Sequence, residues 1–217
     1  MNIESYAYFL LDLDGTLVDT EGLHYKAYIL ACKELGVPFD WDFKKFCFHA
    51  HGDSLGVAQE LKLDNKSWDK LYKVKKEFYL KSLNSTELKF VPGAEAFLQW
   101  GKKKNKVMAI VTNSPREQLE KLTKFLPDLG LVTFSLTRED YSEPKPSPLG
   151  YIKAIQIFES QYGFNLQKKI LGFEDTPKGI FSLNQAFTQL NLSSVSKALV
   201  INSVLLEESV QWNDLKF

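Results

Sequence analysis

Apolar and polar positions along this chain fall into blocks, and the period of each block predicts an element. The run YAYFLL at Tyr6–Leu11 is apolar without interruption, as a strand buried on both faces of a parallel sheet is. From His24 to Leu35 the apolar positions recur at helical spacing and stop at Gly36, with Pro38 just beyond. Residues 39–50 are rich in aromatic side chains, lack a clear period and are expected to be irregular. Ser54–Leu61 and Trp68–Leu83 read as two further helices, and no strong strand is evident between residues 20 and 88. After "FVPG" at residues 90–93 the pattern alternates. Helices are predicted over Ala94–Lys104, Pro115–Leu126, Ser147–Ser160 and Pro177–Phe187, and strands over Val107–Thr112, Thr133–Leu136, Lys169–Phe173 and Lys197–Asn202. Such alternation specifies an α/β fold with a parallel sheet covered on both faces. The all-helical stretch after the first strand then reads as an insert over residues 19–89, in a core formed by residues 1–18 and 90–217.

Composition narrows the function. The 217 residues are 44% hydrophobic and 13% aromatic, enough for a well-packed core. Lys+Arg and Asp+Glu stand at 27 each, a balance with no electrostatic footprint for nucleic acid or an anionic membrane. No apolar run approaches the roughly 20 residues of a membrane span, and the N-terminal stretch lacks the basic region of a secretory signal. Cys32 and Cys47 make no disulfide framework. The expectation is a cytoplasmic protein with reduced thiols, acting as a monomer on a small molecule.

The predicted strand ends carry the chemistry: Asp12 and Asp14, Thr112 and Asn113, Glu139 and Asp140, Glu174 and Asp175. In open parallel sheets, ligands bind outside these carboxyl ends. Asp12 and Asp14 are two apart and project to one side of an extended chain, and Gly15 frees the backbone to turn. Clustered carboxylates repel by several kcal/mol at an effective dielectric of about 20. Lys145, in the proline-stiffened loop "EPKPSP", does not balance them alone. A hard divalent cation does, and all-oxygen ligands select Mg²⁺, which keeps open positions for a phosphate oxygen.

These residues resemble the motifs of the haloacid dehalogenase (HAD) superfamily. The D-x-D-G-T/V-x-x-D motif stands as Asp12-Leu13-Asp14-Gly15-Thr16-Leu17-Val18-Asp19, the strand-ending Ser/Thr as Thr112, the Lys before Pro as Lys145, and the acidic pair as Glu174-Asp175. The insert is similar to the helical cap of the β-phosphoglucomutase-like branch. The resemblance implies a Rossmann-like core with an inserted C1-type cap. It implies Asp12 as nucleophile and Asp14 as acid and base. Thr112 with the Leu13 and Asn113 amides would hold phosphoryl oxygens, and Lys145 would anchor Asp12. Mg²⁺ would be held by Asp12, the Asp14 carbonyl and Asp175, with Glu174 beside it. The implied activity is that of a Mg²⁺-dependent phosphatase acting on a small phosphate ester through an aspartyl-phosphate. A sugar-phosphate mutase and a non-catalytic binding module are the alternatives.

Several residues carry bland readings as well. Asp19 fits a hinge as well as a site, and Glu139 and Asp140 fit solvated loop contacts. Thr176-Pro177 reads as a helix cap. His24, His49, His51 and Lys75 are candidate cap contacts with substrate, with a surface helix face as the competing role. "GDSL" at residues 52–55 spells an esterase signature. All three histidines precede Ser54, whereas that esterase family has its histidine late in the chain, so Asp53 and Ser54 read as a helix cap. "FCFHAHGDSLG" contains no arginine where the mutase grips its second phosphate, and Arg116 and Arg138 both fall in the core region. The chain is therefore expected to take a smaller or less charged ester and to release phosphate.

Overall fold

In the computed structural model the residues described are all but 51–54, 85–86, 166–167 and 204, and the side chain of Leu55. Five strands, β1 (Tyr8–Leu11), β2 (Val107–Val111), β3 (Phe134–Leu136), β4 (Ile170–Glu174) and β5 (Lys197–Val200), form one sheet in the order β3-β2-β1-β4-β5. Every pairing is parallel, with Leu11 beside Ile110 and Phe173. The strand order reverses about β1, so a crevice opens at the carboxyl ends of β1 and β4. That is where Asp12, Glu174 and Asp175 stand.

Alternate side chains of β1 face two apolar layers. Phe9 and Leu11 pack with α5 (Ala94–Lys103), α6 (Arg116–Phe125) and the C-terminal Trp212. Tyr8 and Leu10 pack with α7 (Leu149–Tyr162) and α8 (Pro177–Gln189). A side chain at Gly172 would collide with Leu183, so its absence lets α8 lie close on β4.

Between β1 and α5 the described residues hold α1 (Glu21–Leu35), α2 (Phe43–Ala50), α3 (Leu55–Glu60) and α4 (Asn65–Leu83), and no strand. Helix α1 ends on Gly36 at φ +67°, the left-handed stop its glycine predicts. Helix α2 corrects the expectation of an irregular 39–50. Its Phe46 and Cys47 turn inward to join Tyr28, Trp41, Trp68 and Leu71 in a separate aromatic cluster, and Phe43, Phe46, Cys47 and Ala50 recur at the helical spacing that the aromatic density of the segment obscures. The two links to the sheet run side by side, with the Asp19 amide bonded to the Lys89 carbonyl and Val91 to Leu17. Asp19 is exposed at this crossing. Cys32 and Cys47 are free and buried, and burial raises their thiols to about 11 and about 12. No described helix is long and apolar enough to cross a membrane.

Candidate active site

Lys145 organises the inner end of the cleft. Its Nζ donates to Asp12 Oδ1 at 2.6 Å, to Glu174 Oε1 at 2.6 Å and to the Val111 carbonyl at 2.7 Å, so all three ammonium donors are used. The Tyr151 hydroxyl also donates to Glu174 Oε1, and the Tyr151 ring lies 4.8 Å from the ammonium. Oxygens of Asp12, Glu174 and Asp175, all buried, lie within 4.8 Å of one another. Burial and the Glu174 charge push Asp12 up to about 7 despite Lys145, and burial with the Asp12 charge pushes Asp175 well above the carboxylate range. One ammonium leaves this cluster with excess negative charge, and its hard oxygen donors fit Mg²⁺. Gly15, at φ +77°, passes so near that a Cβ would lie 2.2 Å from Asp175 Oδ2; only glycine fits here.

Asp14 lies in the same cleft with its own partners and accepts from several donors. Thr20 Oγ1 reaches Oδ1 at 2.5 Å, Gln118 Nε2 reaches Oδ1 at 3.0 Å, and Ser114 Oγ reaches Oδ2 at 2.6 Å. His24 Nε2 stands 3.5 Å from Oδ1. Its other nitrogen, Nδ1, lies 2.8 Å from Lys75 Nζ. An ammonium only donates, so Nδ1 accepts and the ring hydrogen sits on Nε2, directed at Asp14. The ring stacks on Tyr79 at 4.1 Å, which fixes its plane. Burial and the Lys75 charge hold His24 down to about 4, in keeping with a neutral ring. Asp14 itself is held down to about 2: burial works against its charge, and hydrogen bonds with the nearby His24 outweigh it.

Thr112 and Asn113 follow β2. The Thr112 hydroxyl accepts from the Ser114 amide at 3.0 Å, and Asn113 Oδ1 accepts from the Lys145 amide at 2.9 Å, tying the two loops together. Leu13 is buried between the two aspartates. Thr176 caps α8 through the Gly179 amide, as its sequence predicts. Asp140 is less solvated than expected: it accepts from Thr137 and from Arg116 at 2.6 Å.

Asp12, Asp14, Thr112, Asn113, Lys145 and Glu174 line one cleft of about 350 Å³, joined by His24 and Lys75 from α1 and α4. His49 does not line it; its ring packs on Trp41 at 5.1 Å. His51, with the "GDS" of residues 52–54, lies outside the described residues. Sequence reasoning missed Glu21, Ser114 and Gln118, which also line the cleft. Ser114 follows the strand-end Thr112 closely enough to have been a candidate, but nothing in the local pattern marks Gln118. Arg138, outside the 19–89 stretch as expected from the sequence, also lines the cleft.

Known proteins share this architecture. The profile of the haloacid dehalogenase-like hydrolase family matches residues 9–190. The chain is 27% identical over 213 residues to validoxylamine A 7'-phosphate phosphatase of Streptomyces hygroscopicus subsp. limoneus, covering 95% of this chain and 97% of that one. It is 30% identical over 188 residues to 2-deoxyglucose-6-phosphate phosphatase 1 of Saccharomyces cerevisiae, covering 79% and 73%. Among solved structures, a CbbY mutant from Rhodobacter sphaeroides in complex with xylulose-(1,5)bisphosphate aligns with a TM-score of 0.72 at 18% identity, covering 95% of this chain and 92% of that one. With its sheet order, its buried acidic cluster and a profile match over most of its length, the chain belongs to the haloacid dehalogenase-like hydrolase family.

Proposed function

We propose that the chain is a Mg²⁺-dependent phosphatase for a small phosphorylated sugar or polyol, working through a phosphoryl group carried on Asp12, with residues 19–89 as a cap. The observation that carries this reading is the division of labour between two aspartates two residues apart. Asp12 sits on Lys145 within the buried acidic cluster, whereas Asp14 is turned to the cleft among hydroxyl, amide and imidazole donors. The named activities of the curated relatives support the substrate class.

Lys145 holds Asp12 through Oδ1, leaving Oδ2 to attack phosphorus. The Thr112 hydroxyl and the Leu13 and Asn113 amides hold the phosphoryl oxygens. Asp12, Asp175, Glu174 and the Asp14 carbonyl would hold Mg²⁺, which would supply positive charge to those oxygens. A phosphate dianion beside Asp14 favours its protonated form, the form in which it can serve as the acid. Asp14 gives that proton to the ester oxygen as its bond to phosphorus breaks. It then removes a proton from the water that attacks phosphorus and frees Asp12. The His24 Nε2–H, braced by Lys75, keeps Asp14 aimed into the cleft.

A sugar-phosphate mutase is the second reading, favoured by one feature: the arginine in the cleft, since transfer between two positions needs a grip on a second phosphate. The test is turnover of p-nitrophenyl phosphate and of β-glucose 1-phosphate, with free phosphate and glucose 6-phosphate measured separately. Free phosphate that vanishes in EDTA and returns with Mg²⁺ is expected. Glucose 6-phosphate with little free phosphate would select the mutase, and undiminished turnover in EDTA would remove the metal from the account.

A further inference from the structure

Arg138 is a cation of the cleft with no carboxylate partner among the described residues. Its guanidinium donates from Nη1 to the Tyr141 carbonyl at 2.8 Å and from Nη2 to the Ser142 carbonyl at 3.2 Å, and lies 6.0 Å from the Tyr141 ring. Among the described residues no carboxylate lies within ion-pair distance of it. The two acidic residues that follow it are committed elsewhere. Asp140 pairs with Arg116 and caps Thr137, and Glu139 accepts from the Arg116 amide. By contrast, Lys145 is matched by Asp12 and Glu174, and Lys75, which donates to the His24 ring, lies in the field of the Asp14 and Glu21 carboxylates.

The position is as telling as the pairing. Arg138 heads the 3-10 turn Arg138–Asp140 after β3, and Thr137 and Asp140 cap each other across that turn. The Tyr141 hydroxyl bonds the Thr112 carbonyl and Asn113 Oδ1, so the ring beneath the guanidinium is fixed to the strand end that borders Asp12. Across the cleft its charge is felt by Tyr72 of α4. A partly buried guanidinium with two backbone partners keeps three of its five N–H donors, in a planar fork that fits two oxygens of an anion.

We infer that Arg138 reads a second anionic group, a carboxylate or a phosphate, on the alcohol portion of the substrate. This deepens the phosphate-ester reading and rests on it. It also reverses the expectation that the cleft takes a less charged ester. Arg138 touches the leaving group and takes no part in proton transfer, so it governs which ester binds rather than how fast phosphorus is attacked.

Binding separates this proposal from the catalytic one. Propylphosphonate, phosphonopropionate and propane bisphosphonate carry one phosphonate and, respectively, no second anion, a carboxylate and a second phosphonate. Titration calorimetry with Mg²⁺ present should show the wild type binding one or both of the ligands with a second anionic end at least about tenfold more tightly than propylphosphonate. Arg138→Met should lose that advantage, about 10- to 100-fold, the worth of a charge-assisted pair, while propylphosphonate affinity stays within about twofold. Arg138→Lys, which keeps charge without the fork, should recover part of it. Which ligand loses more names the anion. Equal weakening of all three by Arg138→Met, or no preference in the wild type, overturns the proposal. Because binding needs no turnover, an enzyme that proves inactive on every ester refutes the phosphatase and still leaves this measurement decisive.

Discussion

The two ends of the cleft are built by different physics. At the inner end, side chains from β1, β4 and the loop before α7 meet in a buried ionic cluster, where Lys145 spends all its donors on Asp12, Glu174 and a carbonyl. At the outer end, α1 and α4 contribute His24 and Lys75 against tyrosine rings, with Lys75 Nζ 5.1 Å from Tyr28 and 5.3 Å from Tyr79. The inner end is over-determined by charge. The outer end is held by packing and single hydrogen bonds, so its residues should tune orientation and selection. Fixed strand ends suit chemistry; helices joined to the sheet through two side-by-side links suit recognition.

Substitutions can break or sharpen that contrast. Asp12→Asn removes the attacking oxygen and should lower kcat by about 10⁴-fold or more in steady-state assays, with the melting temperature preserved. Asp14→Asn keeps the nucleophile and removes the proton carrier; with an alkyl phosphate the expected loss is about 10²- to 10⁴-fold, and an activated aryl ester should lose much less. His24→Gln and Lys75→Met, at the outer end, should each lower kcat by about 10- to 100-fold, the range of a hydrogen bond to a charged group. Gln118→Leu removes one neutral donor from Asp14 and should cost about three- to tenfold. If His24→Gln or Lys75→Met proved as damaging as Asp12→Asn, the contrast between the two ends would collapse.

The same contrast explains what was legible in the sequence. Asp12, Thr112 and Glu174 stand at or directly after strands whose unbroken apolar runs locate themselves, and a parallel sheet brings such ends together whatever the loops do. The run of helices after β1 was visible too, as a long stretch without a strand pattern. Helix α2 was passed over because aromatic density hid its face: Phe43, Phe46, Cys47 and Ala50 recur at helical spacing, while Phe48 stands exposed off that face. Gln118 and Arg138 were illegible for another reason. Gln118 meets Asp14 across 104 residues, and Arg138 reaches the cleft only through the way its turn packs on Tyr141. His49 had a suggestive spacing from His51 and no means of showing that Trp41 would cover it.

The central claim is that phosphorus passes through Asp12 while Asp14 moves the proton. Its most direct test is acid-quenched mass spectrometry of Asp14→Asn after mixing with Mg²⁺ and an aryl phosphate of good leaving group. The account predicts one phosphoryl group, hydroxylamine-labile, on the peptide containing residues 9–20, persisting long after the substrate is removed, and none in Asp12→Asn. An unmodified peptide in Asp14→Asn despite release of the aryl alcohol, or a phosphoryl group elsewhere in the chain, would contradict it.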